Sequence, residues 1–521
     1  MKTTQVDICI YGGTAAGLLA ALAAARAGCS VLVIEPSRWL GGMIGAGIRI
    51  TTDCEYPNHV GGLTRELLLE ERRFNVRDHW RGQLDLRRLW QRKLEACGVM
   101  VCYEHRIQSL DKEGRSLTRL VLEYAPPDAE GVPAAAATES SAQAITATVF
   151  IDASYEGDLL AAGGIPYTVG RESRATYNES LAGVRNVQTF PGIDAWVEPG
   201  NPASGLLPYI TPEPVGHEGD ASPYLIPFNF RFAGDALRAQ EGAFAPPPRE
   251  ALLAPGHREL VNRIQAAGHL TSFGLSSNYS RHSLVNGSLP GLQVSYPDGS
   301  WPERARIWRT LIEHDRLYAQ VLGRRLIVEP EQYPDTNGWP HQLYVRMARR
   351  MRGVYTMTQR DVAGQCPIPD PVGLAYYNVD IYPCRLLRTA EGELATEGET
   401  WELVSPGPYP VSYRALTPQT DNCANLLVPV CISASHVACA SIRMEPTFMI
   451  LGESAGMAAA MAVRNRVPVQ QIDTAQLRTA LLDAGQILEW DGQGYGPYWF
   501  NERFTAWWEK HPEEYQGQPC R

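Results

Sequence analysis

Two groups of residues in this sequence can do chemistry. The first is Gly12-Gly13-Thr14-Ala15-Ala16-Gly17, followed by Glu35. Small residues at these offsets let a main chain approach a phosphate closely, the amides that open a helix point at the anion, and the helix dipole favours negative charge there. A carboxylate at the position of Glu35 accepts hydrogen bonds from a ribose diol. The second group is His436, Arg443 and Glu445. Imidazole titrates near neutrality, so His436 is the first candidate for a base. Arg443 suits a developing anion, and Glu445 suits the orienting of either neighbour. The competing readings are a structural hydrogen bond for His436 and a structural ion pair for Arg443 with Glu445.

The elements that must position these residues are legible around the first group. Val6 to Tyr11 is β-rich and runs into Gly12-Gly13. Ala15 to Ala27 is rich in the best helix formers and ends at Gly28, a helix C-cap residue. Ser30 to Ile34 is a short apolar strand closed by Glu35. Strand, tight turn, helix and strand make a βαβ unit of about thirty residues, the opening of a dinucleotide-binding domain. Gly12 allows the sharp turn and Gly17 the close packing of helix on sheet. The middle glycine of the G-x-G-x-x-G pattern is Thr14 here, which is expected to push a pyrophosphate outward or offer it a hydroxyl. Beyond Glu35 come Pro36, Arg38 and then Gly41-Gly42-Met43. A glycine pair there lets a loop pass under a pyrophosphate and ribityl chain, which favours FAD over NAD. The alternatives are a Gly-Ala helix start in another α/β fold and an ordinary turn.

Three blocks of sequence resemble the FAD-dependent oxidoreductases with a glutathione-reductase-type FAD domain. One is Tyr11 to Gly17 with Glu35-Pro36 and Leu40-Gly41-Gly42-Met43; the second is Phe150-Ile151-Asp152-Ala153-Ser154-Tyr155-Glu156-Gly157-Asp158-Leu159; the third runs from Asn425-Leu426-Leu427-Val428-Pro429-Val430 through Ser441-Ile442-Arg443-Met444-Glu445-Pro446 to Gly452-Glu453-Ser454-Ala455-Gly456. The resemblance implies an α/β fold: a split Rossmann-like FAD-binding domain with a parallel sheet and a β-meander, plus a large α+β substrate or cap domain. It implies FAD as cofactor, with Ala153, Ser154, Gly452, Ser454, Ala455 and Gly456 among its contacts. After Pro446 a helix is expected from about Phe448 to Val463, whose Gly452, Ala455 and Gly456 permit tight packing against the first helix; the resemblance implies that it is aimed at the pyrimidine end of the flavin. Related flavoproteins carry Ala-Thr-Gly where this chain has Ala153-Ser154-Tyr155, so the backbone approach to the cofactor is expected to differ.

The expected organisation is an FAD-binding domain over 1–165 and 416–466, a substrate or cap domain over 166–415, and a C-terminal helix with an aromatic-rich tail over 467–521. Ala125 to Gln143 reads as a long exposed hairpin tip, with the strand returning from Ala144 to Ile151. Pro302 to Leu322 reads as a helix with its charges on one face. Of Arg346, Arg349, Arg350 and Arg352, two or three are expected on a solvated face and one to hold a polar or anionic substrate. The tail from Trp490 to Trp508 reads as packing over the cap or at a subunit contact, or as stacking platforms.

The 521 residues carry 47 Lys and Arg against 57 Asp and Glu, a net charge of −10, which argues against a nucleic-acid surface. Lysine occurs only at Lys2, Lys93, Lys112 and Lys510, leaving few candidates for Schiff-base chemistry. The 11 cysteines form no CxxC pair and no metal-ligand spacing occurs, so neither a dithiol redox centre nor a metal is expected. No leader and no run of eighteen apolar residues is seen; a cytoplasmic protein is expected.

The expected function is transfer of a hydride between a small polar organic substrate and flavin N5, with reoxidation by oxygen or another acceptor. His59, Tyr344, Arg346 and Tyr382 are further substrate-site candidates, and Cys54 and His59 are the positions for a covalent flavin link. A flavin monooxygenase, and a non-redox FAD-containing isomerase, lyase or binding protein, are the alternatives. A homo-oligomer is left open.

Overall fold

The computed structural model describes residues 2–47, 56, 59–73, 83–232, 243–268, 276–277, 284–286, 288–323 and 326–492. Cys54 and the aromatic tail beyond 492 lie outside the described residues.

The strand order of the main sheet is β3-β2-β1-β6-β5-β4, with β1 (Lys2–Tyr11), β2 (Val31–Glu35), β3 (Met100–Tyr103), β4 (His105–Glu113), β5 (Ser116–Tyr124) and β6 (Glu139–Asp152). The run β3-β2-β1-β6 is parallel, and a short strand, Leu426–Leu427, extends it beside β6. The amino-terminal half of β6 pairs antiparallel with β5, and β5 with β4, which is the expected meander. β6 therefore serves both sheet types and begins at Glu139, five residues earlier than its apolar run suggests. All five residues of β2 are buried, as a parallel strand covered on both faces requires. Alternation sorts β1 between two cores: Ile8 and Ile10 face one, Cys9 and Tyr11 the other.

The register matters for the site. Tyr11 pairs with Ile34 on one side and Asp152 on the other. The carboxyl ends of β1, β2 and β6 thus lie side by side, and their exits, Gly12, Glu35 and Ala153, share one edge. That edge is where an open α/β sheet takes its ligand.

The helices are α1 (Ala15–Arg26), α2 (Gly42–Ala46), α3 (Gly62–Arg73), α4 (Gln83–Ala96), α5 (Asp158–Ala162), α6 (Arg174–Tyr177), α7 (His257–Ala266), α8 (Trp301–Val321), α9 (Gln359–Val362), α10 (His436–Ile442), α11 (Glu445–Asn465) and α12 (Thr474–Asp483). α1 and α11 run parallel and in contact. A Cβ on Gly452 would sit 2.2 Å from the Ala16 carbonyl oxygen, and one on Gly456 2.2 Å from that of Ala20. α11 is long and apolar enough to cross a membrane by composition, but 83% of that stretch is buried inside the protein, so it is a core helix.

The middle of the chain holds a four-stranded sheet ordered Gln188–Asp194, Glu393–Glu397, Arg385–Arg388 and Ile210–Thr211, packed with α7 and α8 around Phe190, Leu260, Leu317 and Leu386. The main core runs from Ile8 and Ala15 to Phe228, Trp308 and Trp339, so the middle segment shares its packing with the dinucleotide-type sheet.

Two expectations are corrected here. The 125–138 loop is not an exposed tip. Val132 is fully buried, Asp128 is paired with Arg309, and Glu130 with Arg316 and Arg249, which fastens the loop to α8. The arginines of 346–352 are not a solvated face. Arg346, Arg349 and Arg350 are all buried, and only Arg352 is exposed. Arg349 is taken by Asp158 and Asp298, and Arg350 by Glu172. On α8, Arg304, Glu313, Asp315 and Arg316 are buried while Arg306 is exposed, so its charges are not gathered on one face.

Candidate cofactor cleft and active site

A cleft opens at the shared strand edge. Its walls include Gly12, Thr14, Glu35 and Pro36 on the sheet side, Ser154 and Tyr155 after β6, and Trp301, Arg304 and Trp308 from α8. Gly12 has φ +98°, and a Cβ there would lie 2.6 Å from the Ser154 amide nitrogen. The turn therefore needs glycine both for its dihedral and for its closeness to the β6 exit. Thr14 caps α1: its hydroxyl donates to the Ala153 carbonyl at 2.8 Å and accepts from the Gly17 amide at 3.2 Å. The hydroxyl is thus spent inside the protein, which corrects the idea that it is offered to a phosphate.

Glu35 accepts from the Gly13 amide at 2.8 Å and the Ser37 amide at 2.7 Å, which fixes its rotamer at the cleft wall. Burial raises its pKa, against those hydrogen bonds. A carboxylate has about four acceptor positions, so two remain for a ribose diol. Opposite, Arg304 grips Asp158 with two bonds of 2.7 Å, and Arg349 adds a third at 3.0 Å. Burial works to raise the Asp158 carboxyl, but the two guanidiniums outweigh it and hold it below its ordinary value. Arg304 thereby cancels the acid and brings a planar cation to the cleft wall.

Tyr155 stands where the resemblance expected glycine, and it joins the three sequence blocks. Its hydroxyl accepts from the Met43 amide at 2.9 Å and donates to Glu445 Oε1 at 2.6 Å. A Cβ on Gly42 would meet that hydroxyl at 2.4 Å, so the second glycine of the pair makes room for the phenol. Glu445 opens α11 and is buried, and its Oε2 has no protein partner.

His436 starts α10 and is buried. Its Nδ1 lies 3.0 Å from Glu172 Oε2, which also accepts the His436 amide at 3.0 Å. Glu172 Oε1 takes Arg350 Nη2 at 2.7 Å. Burial depresses the imidazole to about 4, against the pull of Glu172. Burial would raise Glu172, yet Arg350 and the His436 contact hold it well below the usual carboxylate range. At neutral pH the imidazole is uncharged, so Arg350 is the charge that keeps Glu172 ionised. An ionised Glu172 can only accept, so Nδ1 carries the proton and Nε2 the lone pair. Nε2 is buried without a partner.

Arg443 sits at the other end of α10. It contacts the Tyr344 hydroxyl at 3.1 Å and Asp380 Oδ2 at 3.2 Å, and its pKa is raised above the ordinary value: burial opposes the shift, and Tyr344 and Asp380 outweigh it. Arg346 lies over the Tyr344 ring at 4.4 Å and the Tyr382 ring at 4.5 Å. Arg443, Tyr344, Arg346 and Tyr382, named separately from the sequence, form one cluster.

Other expected residues go elsewhere. Glu445 orients neither His436 nor Arg443; it is bonded to Tyr155. His59 pairs with Asp491 at 3.3 Å and meets the Tyr56 ring edge-on. Arg38 is spent on Glu104 at 2.6 Å and on the carbonyls of Pro127 and Asp335, so it holds loops together. Gly452 and Gly456 face α1, Ala455 is fully buried, and Ser454 donates to the Val372 carbonyl at 2.6 Å. Packing of α11 replaces the cofactor contact expected of these four. Glu172, Arg304 and Asp380 escaped the sequence reading, and Arg350 and Asp158 were named in it without these partners. Glu172 and His436 are 264 residues apart, and no local spacing marks them.

The turn, the buried acid Glu35 and the arginine on the facing wall fit an adenine dinucleotide along the strand edge. A model of the family described as FAD dependent oxidoreductase matches residues 7–481. No curated protein matches the chain. Among solved structures, a myxobacterial FAD-dependent chondrochloren halogenase is 18% identical, over 29% of this chain and 38% of its own, with a TM-score of 0.21. Anhydrotetracycline hydroxylase from Streptomyces rimosus is 15% identical, over 36% and 43%, with a TM-score of 0.21. Thioredoxin reductase from Lactococcus lactis is 16% identical, over 28% and 34%, with a TM-score of 0.17. The match spans less than half the length of each of these structures. The chain belongs to the FAD dependent oxidoreductase family, and its cofactor is FAD.

Proposed function

We propose that the protein oxidises a small polar organic substrate, an alcohol or amine, with His436 as the base and oxygen or another acceptor closing the cycle. The observation that carries this reading is the Glu172–His436 pair, in which an ionised carboxylate fixes the imidazole tautomer and leaves Nε2 without a partner. When bound, FAD accepts the hydride that leaves the substrate carbon. His436 Nε2 takes the accompanying hydroxyl or amine proton, so the substrate loses two electrons and two hydrogens and leaves as a carbonyl or imine. Glu172 holds the ring orientation and supports the imidazolium as it forms, while Arg350 keeps Glu172 ionised. Arg443 and the Tyr344 hydroxyl are the polar groups for binding the substrate, with Arg346 stacked behind Tyr344.

The test is anaerobic addition of a panel of sugars, hydroxy acids and amines to the FAD-loaded protein. At least one member is expected to bleach the flavin band. His436→Ala should slow that bleaching about 10²–10⁴-fold. Turnover without bleaching would replace this reading with a non-redox use of FAD, and bleaching that requires a pyridine nucleotide would replace it with a monooxygenase.

A further inference from the structure

We propose that Glu445 acts as a neutral carboxylic acid that donates a hydrogen bond from Oε2 to the electron-rich edge of the FAD ring, with Tyr155 as the residue that positions it. The inference rests on the redox reading above and adds a residue that tunes the cofactor.

The geometry allows few other assignments. The Tyr155 phenol has one proton, and it goes to Glu445 Oε1; its lone pair is taken by the Met43 amide. Glu445 Oε2 is left buried with nothing to bond. A carboxylate there would be a buried charge without a counter-ion, which is costly. Arg443, two residues earlier, is committed to Tyr344 and Asp380. Among groups on the packed elements, Tyr155 and then Glu156 follow β6, and neither is a cation. Arg26 of α1 and Glu66 of α3 act on Glu453, about 12 Å farther along α11. The α11 dipole favours an anion at this end, yet burial prevails and pushes the Glu445 carboxyl up to about 8, with the Tyr155 hydrogen bond opposing. A protonated Oε2 needs an acceptor. Tyr155 lines the cofactor cleft, and Glu445 lies one hydrogen bond beyond it. An acid kept neutral by its site is a strong donor to developing negative charge. Two electrons entering the ring make its edge more negative, strengthen this bond and raise the potential.

The test is a pH titration of the FAD-loaded protein through the neutral and mildly alkaline range, read by the visible spectrum of the oxidised flavin and by its midpoint potential. The wild type should show a one-proton inflection near pH 8, above which reduction takes up one more proton per two electrons. Glu445→Gln keeps a donor and cannot ionise, so it should lose the inflection and keep the low-pH slope of potential against pH throughout. Tyr155→Phe removes a donor to the carboxylate, so the inflection should move upward. A wild type with no inflection, or a Glu445→Gln variant that keeps it, overturns the proposal while substrate bleaching of the flavin stands; a protein whose flavin no substrate bleaches fails the redox reading instead.

Discussion

The turn at Gly12 to Gly17 and the junction at Glu172 are equally buried and differently built. At the turn, main chains touch. A Cβ on Gly17 would sit 2.0 Å from the Gly12 carbonyl oxygen, so the constraint is steric and local. At the junction, charge holds distant segments together. Arg350 and Glu172 are 178 residues apart, and Arg171 and Glu397, paired at 2.7 Å with almost no exposure, are 226 apart. The first kind of constraint allows only small residues at fixed offsets. The second allows any arginine to find any acid, provided the fold brings them together. Buried pairs of this kind gain little over apolar packing, but removing one partner strands the other.

Four substitutions probe that contrast. Arg350→Met leaves the buried Glu172 carboxylate without its counter-charge and should cost about 3–5 kcal/mol in denaturant unfolding. Adding Glu172→Leu should recover part of that loss, and a double variant no better than the single one would count against charge as the binding principle there. Gly17→Val should cost about 3 kcal/mol by overpacking, and the purified protein should lose its flavin on gel filtration. A normal ratio of flavin to protein absorbance would show that the turn tolerates a side chain. Thr14→Ala removes a cap and should cost about 1 kcal/mol with FAD retained; loss of FAD instead would mean the hydroxyl serves the cofactor.

The same contrast explains what the sequence disclosed. β1, α1, β2 and Glu35 were readable because glycine, alanine and the apolar runs are forced there. The start of α11 at Glu445-Pro446 was readable within three residues, since proline suits a first turn. Tyr155 was visible as a departure, though its role needed Met43 and Glu445 brought beside it. The charged stretch 346–352 misled because an arginine run in sequence looks the same whether it faces water or Asp158 and Glu172. The 125–138 loop misled for the same reason: its Asp128 and Glu130 read as solvated until α8 supplied Arg309 and Arg316. Gly452 and Gly456 carried two readings, a cofactor contact and close packing on the first helix, and the structure shows the helix contact, since small residues serve either role.

The most direct test of the account is a crystal structure of the FAD-loaded protein with a bound substrate analogue. The ribose diol is expected on Glu35, the ring edge on Glu445 Oε2, and His436 Nε2 within hydrogen-bond reach of the analogue, directly or through one water. A ring lying away from Glu445, with His436 sealed from the analogue behind α10, would contradict it.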